Sequence, residues 1–105
     1  MAKKPTTNAV EILRNRYVKN DPEREASVEA ERVNADVARL IFTTRTEAGL
    51  TQGQLADLVG TTQSVISRLE DSDYDGHSLS MLNRIAEALQ KRLTVAMTAK
   101  DRHGP

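Results

Sequence analysis

The 21 residues LTQGQLADLVGTTQSVISRLE, from Leu50 to Glu70, hold two short helix patterns separated by a single glycine. Thr51 and Gln54 have the Thr-x-x-Gln spacing of a capping box, in which each residue's side chain satisfies the other's backbone N–H. Leu50 and Leu55 take the two positions of a hydrophobic staple across the same cap. A helix is therefore predicted from Gln52 to about Val59, closed by a tight turn at Gly60. Thr62 can cap the next helix, from which Val65, Ile66 and Leu69 face inward. Gln63, Ser64, Ser67 and Arg68 then share the opposite, polar surface.

Outward from this stretch the chain reads as helical nearly throughout. On the N-terminal side, Asn20-Asp21-Pro22 is a start signal: Asp21 can cap, and Pro22 suits the first helical position, where a missing N–H costs nothing. No Gly or Pro interrupts the chain from there to Ala48. Ala26, Ala30, Val33, Val37, Leu40 and Thr44 recur at spacings of four and three, the stripe of an amphipathic helix or of a short coiled-coil seam. Unbroken, that helix is about 40 Å long at ~1.5 Å per residue, too long for a small core to cover; a break near Asn34 is the alternative. Gly49 closes it in the left-handed conformation. A shorter helix, Asn8 to Val18, is predicted upstream, with Ala9, Ile12, Leu13 and Tyr17 on one side.

On the C-terminal side, "DSDYDGHS" (Asp71 to Ser78) has the alternating acids of a calcium loop. The match ends after Gly76, because Ser78 stands where an apolar residue belongs and Leu82 where the bidentate Glu belongs. A turn explains the stretch better, with Ser78 capping a helix to Gln90 whose Leu79, Leu82, Ile85, Ala86 and Leu89 complete the core. After Lys91-Arg92, Leu93, Val95 and Met97 alternate with Thr94, Ala96 and Thr98, a strand signal. A lone strand leaves both edges unpaired, so its simplest partner is the same strand of a second copy; a frayed tail is the alternative.

Composition limits what such a chain can be. At 105 residues, with one Phe, two Tyr and no Trp, it is a single small domain with an aliphatic core. There is no cysteine, hence no disulfide framework or thiolate metal site. No run approaches the roughly 18 apolar residues of a membrane span, and the first residues lack a secretory h-region, so a cytoplasmic location is expected. Fifteen basic residues balance fifteen acidic ones, so any affinity for nucleic acid must come from locally placed donors. An enzyme is disfavoured: His77 and His103 are the only histidines, and no nucleophile with its base, metal cluster or phosphate-cradling glycine loop accompanies them. No cofactor or metal is expected.

From Arg45 to Glu70, two short helices joined by a Gly-containing turn form a helix-turn-helix, and the stretch resembles the Cro and lambdoid repressor (XRE) type. Gln52, Leu55, Ala56, Gly60, Thr62, Gln63, Ile66 and Glu70 stand where that pattern expects them. The resemblance covers Val37 to Leu89 and implies an all-α, lambda-repressor-like domain at 35–90, with an N-terminal helical extension at 1–34 and a C-terminal dimerisation strand and tail at 91–105. It further implies that Gln52 touches a phosphate, and that Gln63, Ser64 and Arg68 face base edges of a double-stranded DNA operator. Gln suits adenine and Arg guanine, while Thr61, Thr62 and Ser67 suit phosphate. Arg45 and Glu70 match an arginine and a glutamate that the phage-repressor branch joins in a partly buried ion pair. One departure stands out: Asp71, Asp73 and Asp75 lie where such repressors often carry basic residues, which leaves Tyr74, His77 and Ser80 as phosphate donors nearby. DNA affinity then depends on dimer or complex formation.

A looser resemblance joins the acidic helix, the motif and the final strand to HigA- and HipB-type antitoxins of toxin-antitoxin pairs. In the HipB-like arrangement, Leu93, Val95 and Met97 pair across a homodimer. A small basic toxin of the RelE/HigB kind is the implied partner, with Glu23, Glu25, Glu29 and Glu31 supplying charge and Ile12, Leu13 and Tyr17 an apolar contact. A solubilising acidic helix is the plainer reading of those glutamates. A stand-alone or phage-type repressor without a toxin partner is the alternative function.

Overall fold

The structure, a computed structural model, describes residues 21–100. The predicted helix from Asn8 to Val18 lies outside them, as does His103. Four helices follow in order: α1 (Pro22–Glu47), α2 (Gln52–Val59), α3 (Gln63–Leu69) and α4 (Leu79–Ala88).

α1 is continuous for 26 residues, with no break at Asn34. Asp21 accepts from the Arg24 N–H at 3.2 Å and Pro22 occupies the first turn, as the start signal predicts. At the other end Gly49, at φ +75°, turns the chain, while the Gly49 N–H bonds Thr46 O and the Leu50 N–H bonds Arg45 O. This double bond is a Schellman closure, and its left-handed residue carries no Cβ to clash. α4 closes by a similar pair, Gln90 N–H to Glu87 O and Lys91 N–H to Ala86 O, with Gln90 at φ +58°. Its regular turns therefore stop at Ala88, two residues short of the expected Gln90.

The core is small and aliphatic. Ile41 from α1, Leu55, Ala56 and Val59 from α2, Ile66 and Leu69 from α3, and Ile85 from α4 are all buried in one cluster. Val37, Leu50, Val65, Tyr74, Met81, Leu82 and Leu89 pack around it. α2 is the hub, in contact with both α3 and α4.

Two expectations about burial are corrected. On α1 the buried line is Ala38, Ile41 and Arg45; of the predicted stripe Val37 and Thr44 are half-buried, Val33 and Leu40 are 44% and 50% exposed, and Ala26 and Ala30, in the half too long for the core to cover, are exposed. Counting apolar residues misses the true line because it includes a charged one, Arg45. Leu79, expected in the core, is 63% exposed, since it stands in the first turn of α4 ahead of the layer that α2 covers.

No strand occurs among the described residues, and Leu93–Met97 makes no ladder. Leu93 is half-buried, Val95 is 67% exposed and Met97 wholly so. The four helices present no free edge for this segment to pair with, so the alternation predicts a strand that a single chain does not form. No helix among the described residues is long and apolar enough to cross a membrane.

Gly60 holds the turn between α2 and α3 at φ +87°. A Cβ there would sit an ordinary 3.7 Å from Arg84 Nη2, so the requirement is conformational and not one of space. Gly60→Ala should therefore lower stability by roughly 1–2 kcal/mol, the cost of a left-handed non-glycine residue, read as a shift in denaturant midpoint.

Candidate nucleic-acid interface

The capping box sets the entry angle of α2. Thr51 Oγ1 accepts from the Gln54 N–H at 3.0 Å, and Gln54 Oε1 accepts from the Thr51 N–H at 2.9 Å. Leu50 and Leu55 both join the core, which fits the staple. At the far end, Arg84 of α4 donates through Nη2 to Val59 O at 2.8 Å, satisfying one of the helix's last carbonyls. Nothing in the local sequence signals this cap, because its partner is 25 residues away.

α3 starts at Thr62, whose hydroxyl oxygen accepts from the Val65 N–H at 3.3 Å. Ile66 and Leu69 anchor the helix, 0% and 4% exposed. Gln63, Ser64, Ser67 and Arg68 are all exposed. At 100° per residue they fall within an arc of about 140°, opposite the anchors. Thr62 is exposed and Thr61 half-buried at the helix entrance. The face so formed is a rigid row of amide, hydroxyl and guanidinium donors on a short helix. Such a row can hydrogen-bond base edges in a major groove.

Beneath that face lies a buried polar cluster. Arg45 Nε donates to Glu70 Oε2 at 2.6 Å and Nη2 to Oε1 at 3.0 Å, a two-pronged ion pair with side chains only 10% and 5% exposed. Arg45 Nη1 donates to Leu50 O at 2.8 Å, and the guanidinium carbon lies 5.4 Å from the centroid of the Phe42 ring. The cluster thus joins α1, the α1–α2 link and the end of α3. The hydrogen bond to Glu70 raises the Arg45 pKa further, against the opposing effect of burial. By its sign the guanidinium's contribution is present below its titration range and is lost as pH rises through it.

Gln52 belongs to the same cluster. Its Nε2 donates to Glu70 Oε1 at 3.1 Å, leaving one amide hydrogen and the amide oxygen for other partners. Resemblance alone assigns Gln52 to a phosphate; the geometry also makes it a strut that fixes Glu70.

The connection after α3 is a turn. Asp71 Oδ1 accepts from the Asp73 N–H at 2.9 Å and Asp71 O from the Tyr74 N–H at 3.0 Å. Among the described residues no three His, Cys, Asp or Glu side chains are grouped to hold a metal ion. His77 donates through Nε2 to Leu69 O at 2.8 Å, and its Nδ1 is buried without a partner. His77 is therefore a strap from the loop to the end of α3, with its ring edge-on to Tyr74 at 5.1 Å, and it is not placed to donate to phosphate. Tyr74 is half-buried over Gly76, where a Cβ would collide with its ring. Ser80 remains exposed, as do Asp71, Asp73 and Asp75.

The helix-turn-helix family model HTH_3 matches residues 41–95, just over half of the chain. The chain belongs to this helix-turn-helix family. As a family member it carries a DNA-binding regulator's fold, with α2 and α3 as the motif's two helices. A chain in the solved structure of a HipA-HipB-O2-O3 complex is similar to it at 27% identity and a TM-score of 0.54, over 63% of this chain and 92% of that one. No curated protein matches the chain.

Proposed function

We propose that this helix-turn-helix protein is a sequence-specific transcriptional repressor that reads operator DNA with Gln63, Ser64 and Arg68 of α3. Thr61, Thr62, Ser67 and the free amide hydrogen of Gln52 hold backbone phosphate. The observation that carries this reading is the exposed polar face of α3, held on a buried core and tied at its end by Arg45–Glu70. The chain works as a binding module in the cytoplasm, without catalysis.

The reading extends to a homodimer and to an antitoxin that regulates its own operon. Dimerisation supplies two α3 faces for two half-sites about one helical turn apart, and raises an affinity that Asp71, Asp73 and Asp75 work against. Exposed Val95 and Met97, alternating with polar residues, support Leu93–Met97 as the pairing strand. The likeness to a chain from a complex containing HipA and HipB supports a protein partner. It favours a HipA-like partner over the RelE/HigB kind, so the proposal keeps a toxin and leaves that type aside.

The test has two arms. Purified protein and its own upstream DNA should give a protected site, and Gln63→Ala or Arg68→Ala should each reduce discrimination against the wrong base by about 1–3 kcal/mol, or 5- to 150-fold. Unchanged selectivity in both variants would overturn the base-reading assignment. In the second arm, co-expression with the adjacent gene product should yield a stable complex and relieve its toxicity; no complex and no toxicity would leave a stand-alone repressor.

A further inference from the structure

An apolar cavity of about 190 Å³ opens at the surface where the chain leaves α4. Leu40 and Ile41 of α1, Leu82 and Ile85 of α4, and Leu89 and Leu93 beyond it form most of the wall. Leu40 is 50% exposed and Leu93 only half-buried, so this wall still meets water. Leu93 is also the first apolar residue of the alternating segment Leu93–Met97, in which Val95 is 67% exposed and Met97 wholly so. Met97 does not line its own chain's cavity. Four residues of extended chain carry it about 13 Å beyond Leu93.

Pairing register selects the occupant. In an antiparallel pair of this segment with itself, the register centred on Val95 sets Leu93 opposite the partner's Met97 and Val95 opposite the partner's Val95. That register matches the three large apolar residues with one another. Centring on Thr94 instead sets Met97 opposite a lysine, at position 91, and centring on Ala96 sets Leu93 opposite a small alanine, at position 99. A slip of a single residue in pairing opposes apolar to polar positions. In the Val95 register Lys91 meets an alanine and Arg92 a threonine, so no like charges face each other across the pair. Directly opposite side chains share a face, with Cβ atoms about 5 Å apart, which brings the partner's Met97 to the cavity wall at Leu93.

We propose, resting on the homodimer reading above, that the partner's Met97 fills this cavity. An unbranched thioether suits an irregular apolar gap. Two-fold symmetry makes the exchange reciprocal: each copy offers one cavity and one Met97, and both cavities fill at once. A two-stranded ribbon is marginal in water by itself. Filling the cavities anchors it to α1 and α4 of both copies, and so holds the two α3 faces at a fixed separation.

The chain's lack of cysteine lets single thiols report contacts between copies. Full-length Met97→Cys is mixed with tagged full-length Ala86→Cys, whose position lines the cavity, or with tagged Leu58→Cys, exposed on α2 outside it. A short thiol cross-linker should give several-fold more mixed dimer with the first pair. In sedimentation, Met97→Asp should raise the dimer dissociation constant about ten-fold or more, since each dimer carries two such contacts, while Met97→Leu should stay near the unchanged protein. Met97 is wholly exposed in the single chain, so neither change disturbs its fold. A dimer that cross-links equally to both positions, or that tolerates Met97→Asp, would overturn the cavity assignment and leave the homodimer standing. A chain that stays monomeric at the highest concentration measured would remove both.

Discussion

Arg45→Ala should lower the stability of the folded chain by about 3–5 kcal/mol, the cost of stranding one partner of a buried ion pair. Glu70 is 5% exposed at its side chain and would keep only the Gln52 amide as a donor, while Leu50 O would lose its guanidinium bond. Domains of this size are stable by only about 5–15 kcal/mol, so a loss of this scale moves the thermal midpoint by more than about 12 °C. Chemical denaturation should show the midpoint fall with an unchanged slope. The double variant Arg45→Ala with Glu70→Ala should cost clearly less than the two single changes together, because it removes the stranded charge as well as the pair. A single-variant loss below about 1 kcal/mol, or strict additivity in the double variant, would show the pair to be marginal. The cluster joins α1 to the end of α3, so a native-state measurement should also show faster amide exchange at Leu69 and Glu70.

How far this arrangement could be read from the residues depends on the range of the forces involved. Caps are local, and Thr51, Gln54, Thr62 and Ser78 all do in the structure what their spacing announces. Gly49 likewise adopts the left-handed conformation expected of it, and Gly60 makes the expected tight turn, also at positive φ. Which face of α1 meets the core is a tertiary matter: an apolar stripe suggests one line, while the folded core takes the neighbouring line through Ala38, Ile41 and Arg45. A charged residue in that line is invisible to a hydrophobic count. Only likeness to known repressors brought Arg45 and Glu70 together, since they stand 25 positions apart. Arg84 on Val59 O and His77 on Leu69 O had no such guide, and both emerge only from the fold. The alternation of Leu93, Val95 and Met97 describes a surface that wants a partner, and a single chain leaves it open.

Ile66→Ala should cost roughly 2–5 kcal/mol, from lost transfer energy and from a cavity that the tight core closes only in part. Ile66 is fully buried and central to α3, in one cluster with Leu55 and Ala56 and on the side of the helix away from exposed Ser67 and Arg68. Two neighbours on one short helix therefore make a sharp contrast. Arg68→Ala removes an exposed side chain and should leave stability within about 0.5 kcal/mol while changing which operator sequences are preferred. Ile66→Ala should do the reverse: binding falls only as the folded fraction falls, and the ranking of operator sequences stays the same. Denaturation curves and binding to a panel of operator variants, made on both proteins, separate the two. If Ile66→Ala altered the ranking at full folding, α3 would be held by something other than its apolar anchors. If Arg68→Ala unfolded the chain and left the ranking intact, the guanidinium would belong to the structure, and base reading would fall to Gln63 and Ser64 alone.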